Sequence, residues 1–209
     1  MNQVNELTLE SDKGMMGVEN KKWTQFFVFS LFFFSGISGL IYQIIWTRML
    51  ALIFGNTMLA TSTVLTAYMA GLASGSFLAG KYIDKKPRRL VKSYAILEAG
   101  IGIFALVFPF LLKAFSPLYT HLYQGLAGNI LILNLTRFIV CFILIFIPTF
   151  MMGATLPVLM KRFVRGTGSI GREMGILYGL NTAGAVAGAM ACGFLLLKLF
   201  GMQGTTRIG

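Results

Sequence analysis

Five apolar runs, each long enough to cross a bilayer as a helix, dominate this 209-residue chain and leave it few ways to fold. At 1.5 Å per residue, about 20 residues span the hydrocarbon core. The runs fall at about 25–47, 58–82, 90–112, 131–160 and 173–199. Composition agrees: 56% of residues are hydrophobic and only 12% charged, with mean hydropathy +0.75. Soluble domains carry roughly 25% charged residues. The expected class is therefore all-α, a polytopic helical membrane protein with too little extramembrane chain for a soluble catalytic domain. Residues 1–22 are polar and contain Glu6, Glu10, Asp12 and Glu19. They are expected to form a mobile cytoplasmic tail and not a signal peptide, being too long and too acidic before too long an apolar run. Residues 200–209 form a short polar end.

The basic residues set the orientation. With the N-terminus inside, the tail carries Lys13, Lys21 and Lys22, and the turn after the second span carries Lys81, Lys85, Lys86, Arg88, Arg89 and Lys92. Lys161, Arg162, Arg165 and Arg172 follow the fourth span, so 13 of the 18 Lys and Arg lie on one side. That asymmetry predicts a cytoplasmic N-terminus. The net charge of +11 is then a topology signal in short juxtamembrane loops, with contacts to lipid headgroups and no nucleic-acid partner.

The stretch 114–130 is interrupted by Pro117, Gly125, Gly128 and Asn129 and is expected to lie at the outer surface as an interfacial helix or loop, with His121 an interfacial side chain. The fourth run contains Pro148 and Pro157, which predict a kink or an unwound stretch lining a cavity. Cys141 and Cys192 lie in apolar runs and read as small buried hydrophobes. One histidine and no Cys/His cluster leave no metal site, and no cofactor or catalytic residue is expected.

Small residues recur every fourth position in the second run (Ala67, Gly71, Gly75, Ala79) and the fifth (Gly175, Gly179, Ala183, Ala187, Ala191), with Gly184 and Gly188 in a stripe beside it. Residues four apart share a helix face, so these stripes admit close helix packing. If spans one to three form a unit, the fifth is the counterpart of the second in an inverted copy.

The turn from Gly80 to Arg89 (GKYIDKKPRR) resembles the loop signature of major facilitator transporters, with Gly80, Asp84, Arg88 and Arg89 matching and Pro87 replacing a glycine. The resemblance implies a charge network at cytoplasmic helix ends; the plainer reading is a positively charged turn. Four more stretches are similar to the membrane region of fused major facilitator/spermidine synthase-like proteins: Ser38 to Arg48 (SGLIYQIIWTR), Tyr94 to Gly102 (YAILEAGIG), Met152 to Pro157 (MGATLP) and Gly175 to Ala185 (GILYGLNTAGA). Many members carry Glu where this chain has Gln43. The resemblance implies an incomplete half of a major-facilitator-like bundle: an inverted three-helix repeat of five spans lacking the sixth helix, in a bacterial inner membrane. In the fused proteins a soluble domain similar to spermidine synthase follows the helices. Its glycine-rich strand–turn–helix and paired aspartates do not occur here, so the chain is expected not to be an enzyme.

Glu98 is the only acid inside an apolar run. At a helix centre an ionised group is disfavoured by about 2.5–3.5 kcal/mol on insertion scales, and such groups normally face a protein interior or a wet cavity. The candidate interior set is Tyr42, Gln43, Trp46, Glu98, Arg137, Tyr178 and Asn181, with cation–π contacts from Tyr42 and Trp46. Glu98 and Arg137 lie in opposite halves of the membrane, which argues against a direct salt bridge. Glu98 is a site for a cation or proton, or else a hydrogen-bonded structural acid. Two functions follow: a transporter-like module for a cationic, polyamine-like solute, or a membrane scaffold that assembles with itself or with a separate soluble synthase domain.

Overall fold

The computed structural model describes residues 2–54, 58–85, 90–126, 129–163 and 170–209. Its elements are α1 (Asn2–Phe54), α2 (Met58–Lys85), α3 (Leu90–Leu126), α4 (Ile130–Phe163), α5 (Ile170–Ala191), a π-helical turn (Cys192–Leu196) and α6 (Leu197–Ile208). No strand occurs among the described residues, and five helices are long and apolar enough to cross a membrane. Several hydroxyl side chains inside these helices return their protons to their own backbone. Thr47 bonds the Gln43 carbonyl at 2.7 Å, Ser74 that of Ala70 at 2.6 Å and Thr149 that of Ile145 at 2.8 Å. Such bonds remove the penalty of an unpaired hydroxyl in an apolar surrounding.

Three expectations are corrected. The segment expected as a mobile tail, 1–22, is helical from Asn2 and continuous with the first span. The stretch 114–130 is not a separate interfacial piece, because α3 continues through Pro109 and Pro117 to Leu126. Proline removes one backbone donor, but tertiary contact holds the extension: Tyr119 is buried, and its hydroxyl accepts a hydrogen bond from Arg137 Nε at 2.8 Å. The fourth span does not unwind, since α4 runs as one helix through Pro148 and Pro157. Pro148 is fully buried, so its ring fills packed space beside the helix. The short polar end, 200–209, has structure of its own. The chain turns at Gly201 (φ 63, ψ −174), a conformation open essentially to glycine, and runs on as helix to Ile208. Thr205 and Thr206 are buried, and Gly209 abuts Ile41 and Tyr42. Cys192 already packs with Ile41 and Ile45, so the chain after Gly201 has doubled back beside α1.

The helices pair closely where glycine allows it. α2 lies along α4 and α1 along α5, with α3 against α4. A methyl added at Gly71 would strike the Thr149 side chain; at Gly75, the Phe150 carbonyl; at Gly153, the Leu72 carbonyl. On the other pair, Gly184 faces the Phe33 carbonyl, Gly188 the Ile37 carbonyl and Gly36 the backbone of Asn181. The α1–α5 contacts advance together along both chains, and Gly71 beside Thr149 is followed by Gly80 beside Pro157, so α1 and α5 run parallel, as do α2 and α4. That parity puts Lys81, Lys92, Lys161, Arg162 and Arg172 at one end of the bundle, called here the basic end.

Two buried layers fill the interior. Near the basic end, Val28 and Phe32 pack with Ile83, Tyr94, Val158, Leu159 and Leu177, so all five spans contribute. Toward the far end, Tyr42, Trp46 and Leu50 pack with Val64, Ala67, Tyr68, Ile101, Ala105 and Phe108.

Candidate functional site

Glu98 lies between those two layers. It is eight residues beyond the start of α3, about 12 Å along the axis, and is partly buried. α1 crosses α3 at this height and brings Ser35 to it: the Ser35 hydroxyl donates to Glu98 Oε1 at 2.7 Å. Tyr94 stands one turn before Glu98 on the same helix face, within electrostatic reach of the carboxylate. A hydroxyl donated to a carboxylate makes a stronger bond than one between neutral groups. No Lys or Arg among the described residues pairs with it. Among the described residues the arrangement is a lined acid without a protein counter-charge, which is able to hold a cation or a proton.

The sequence-derived set is only partly gathered here. Tyr42 is buried within electrostatic reach of Glu98. Asn181 sits at the crossing of α5 with Gly36, the residue after Ser35. Trp46 is fully buried in an aromatic stack, with ring centroids 5.5 Å from Tyr42, 4.9 Å from Phe108 and 6.1 Å from Phe104. Its neighbours occupy its ring faces, so the expected cation–π role has no open surface in this conformation. The Trp46 indole N–H is buried without a partner. Gln43 is half-buried and contributes its backbone carbonyl to Thr47.

Two members lie elsewhere. Tyr178 is 62% exposed on the outer face of α5. Arg137 is bound to Tyr119 and Asn134 at the far end and does not reach Glu98. In the basic turn, Gly80 is half-buried near Pro157 and Asp84 closes α2, while the Asp84 side chain and Arg88 and Arg89 lie outside the described residues. Of the packing glycines, Gly71, Gly75, Gly184 and Gly188 meet a neighbouring helix, whereas Gly179 has open space around it.

Ser35 and Tyr94 are the residues that sequence reasoning missed. Tyr94 carried a readable signal, four residues from an intramembrane acid. Ser35 carried none beyond being a hydroxyl in an apolar run, since its partner is 63 residues away.

No family model matches the chain, and no solved structure does. A polyamine aminopropyltransferase of Corynebacterium efficiens is 28% identical over 170 residues, covering 79% of this chain. The chain spans 29% of that relative's length. This overturns the expectation that the chain has no enzymatic role. The similarity falls on most of this helical chain, so the helices themselves are the part shared with a protein named as an enzyme. Helices that can cross a membrane and a polyamine-related relative are together what the chain presents.

Proposed function

We propose that the chain is the membrane module of a polyamine aminopropyltransferase-like system, and that Glu98 binds an ammonium group of its cationic solute within a transporter-like bundle. The observation that carries this reading is the Ser35 to Glu98 hydrogen bond of 2.7 Å, which fixes a carboxylate between two apolar layers. An amine fits because it brings the missing positive charge and several N–H donors to an acceptor-only group. The layers on either side exclude water and so strengthen that attraction. Passage of the solute requires one layer to part at a time.

Helix pairing supports the transporter-like build. Exchanging α1, α2 and α3 for α4, α5 and α6 turns the α2–α4 pair into the α5–α1 pair. The same exchange turns the α3–α4 contact into the α6–α1 contact, and both are present. An inverted repeat of three helices predicts that correspondence.

The test is binding of a labelled polyamine to the purified chain in detergent. Glu98→Gln preserves size and hydrogen-bond acceptance but removes the charge, and binding should weaken about tenfold or more, the scale of a charge-assisted hydrogen bond. Equal binding by both proteins removes Glu98 from the function.

A further inference from the structure

Arg137 has a second, independent set of partners and no role in the Glu98 site. Its Nε donates to the Tyr119 hydroxyl at 2.8 Å, and its Nη1 lies 3.4 Å from Asn134 Oδ1. Both acceptors are neutral, and two N–H directions are used of the five that a guanidinium owns. The side chain is partly exposed. The chain offers no carboxylate there: no Asp or Glu occurs between Glu98 and Glu173, and the other acids are Glu6, Glu10, Asp12, Glu19 and Asp84. Glu98 precedes Tyr119 by 21 residues of the same helix, about 30 Å away along the axis.

Depth decides what can supply the counter-charge. Lys161 marks the basic end of α4, and Arg137 lies 24 residues from it along the same helix, about 36 Å. A hydrocarbon core is about 30 Å thick, and 40–45 Å with its interfaces. With Lys161 set at the near edge of the hydrocarbon, Arg137 falls at the far edge, where a long side chain reaches the lipid phosphates. Tyr119, 27 residues beyond Lys92 on α3, reaches the same layer. Among the described residues, the two neutral bonds orient the guanidinium and leave its remaining donors for a planar pair of oxygens, the geometry that arginine offers a phosphate.

We propose that Arg137, held by Tyr119 and Asn134, is a binding site for the phosphate of an anionic phospholipid in the far leaflet. A headgroup with net negative charge is preferred, since a choline or ethanolamine headgroup brings its own cation. The site is separate from the Glu98 reading and does not depend on it.

The test is native mass spectrometry of the whole purified chain titrated with phosphatidylglycerol or phosphatidylcholine. Arg137→Gln should bind phosphatidylglycerol about tenfold more weakly than the unaltered chain, with phosphatidylcholine binding unchanged. Arg137→Lys keeps the charge while losing the fork, and should fall between them. Because both proteins retain every basic-end residue, the difference reports Arg137 alone. Equal phosphatidylglycerol affinity in all three proteins overturns the proposal. If Arg137→Gln does not fold, an unchanged affinity in Arg137→Lys overturns it as well. Displacement of the lipid by millimolar inorganic phosphate overturns the lipid assignment in favour of a free oxyanion.

Discussion

At the scale of single residues, the balance at Glu98 sets the behaviour of the site. Placing the acid in the membrane is unfavourable by about 2.5–3.5 kcal/mol, while each hydrogen bond to a charged group returns roughly 1.5–3 kcal/mol. The Ser35 bond offsets a large part of that penalty. Ser35→Ala removes this donor and should weaken polyamine binding about tenfold, with little change in helix content. Binding isotherms paired with circular dichroism separate the two effects; undiminished binding would mean that Ser35 does not shape the site. The acid was legible in the sequence because a charge in an apolar run stands out locally. Its serine was not, because nothing near Ser35 in the chain records which helix it will meet.

At the scale of helices, glycine decides which faces touch. Gly184 and Gly188 press on the α1 backbone, and a leucine at either would force the pair apart, at a penalty of about 1–3 kcal/mol or more. Gly179 lies in the same helix with nothing within 4 Å. Gly184→Leu should therefore lower the thermal unfolding midpoint in detergent by several degrees, while Gly179→Leu leaves it nearly unchanged. Similar losses for both would contradict the α1–α5 pairing. The small-residue stripes were readable from spacing, yet spacing did not tell the packed stripe of α5 from the open one. The prolines misled for a related reason. A breaker signal is local, whereas the Tyr119–Arg137 bond that holds α3 beyond Pro117 joins two helices.

At the scale of the whole molecule, the parallel pairs α1–α5 and α2–α4 constrain topology. Parallel neighbours separated by an odd number of other crossings require the spans to alternate, so Lys92 and Arg172 share one side and Gln124 takes the other. Single cysteines placed by Lys92→Cys and Arg172→Cys should react with a membrane-impermeant reagent only from the cytoplasmic face, and Gln124→Cys only from the opposite one. Labelling of Lys92→Cys and Arg172→Cys from different faces would break the five-span arrangement. The doubling back at Gly201 belongs to this scale too, since it lays Gly209 against Ile41 and Tyr42 of α1.

By itself the sequence determined the helical class, the places where spans begin, the sidedness of charge and the isolation of Glu98. Each depends on run length, hydropathy or a single residue type, which are local quantities. Tertiary structure alone decided that Ser35 meets Glu98, that Arg137 answers to Tyr119 rather than to the acid, that Trp46 is sealed by its neighbours and that the chain turns back at Gly201. Those outcomes depend on where two helices cross, and a crossing is set by the shape of both faces at once.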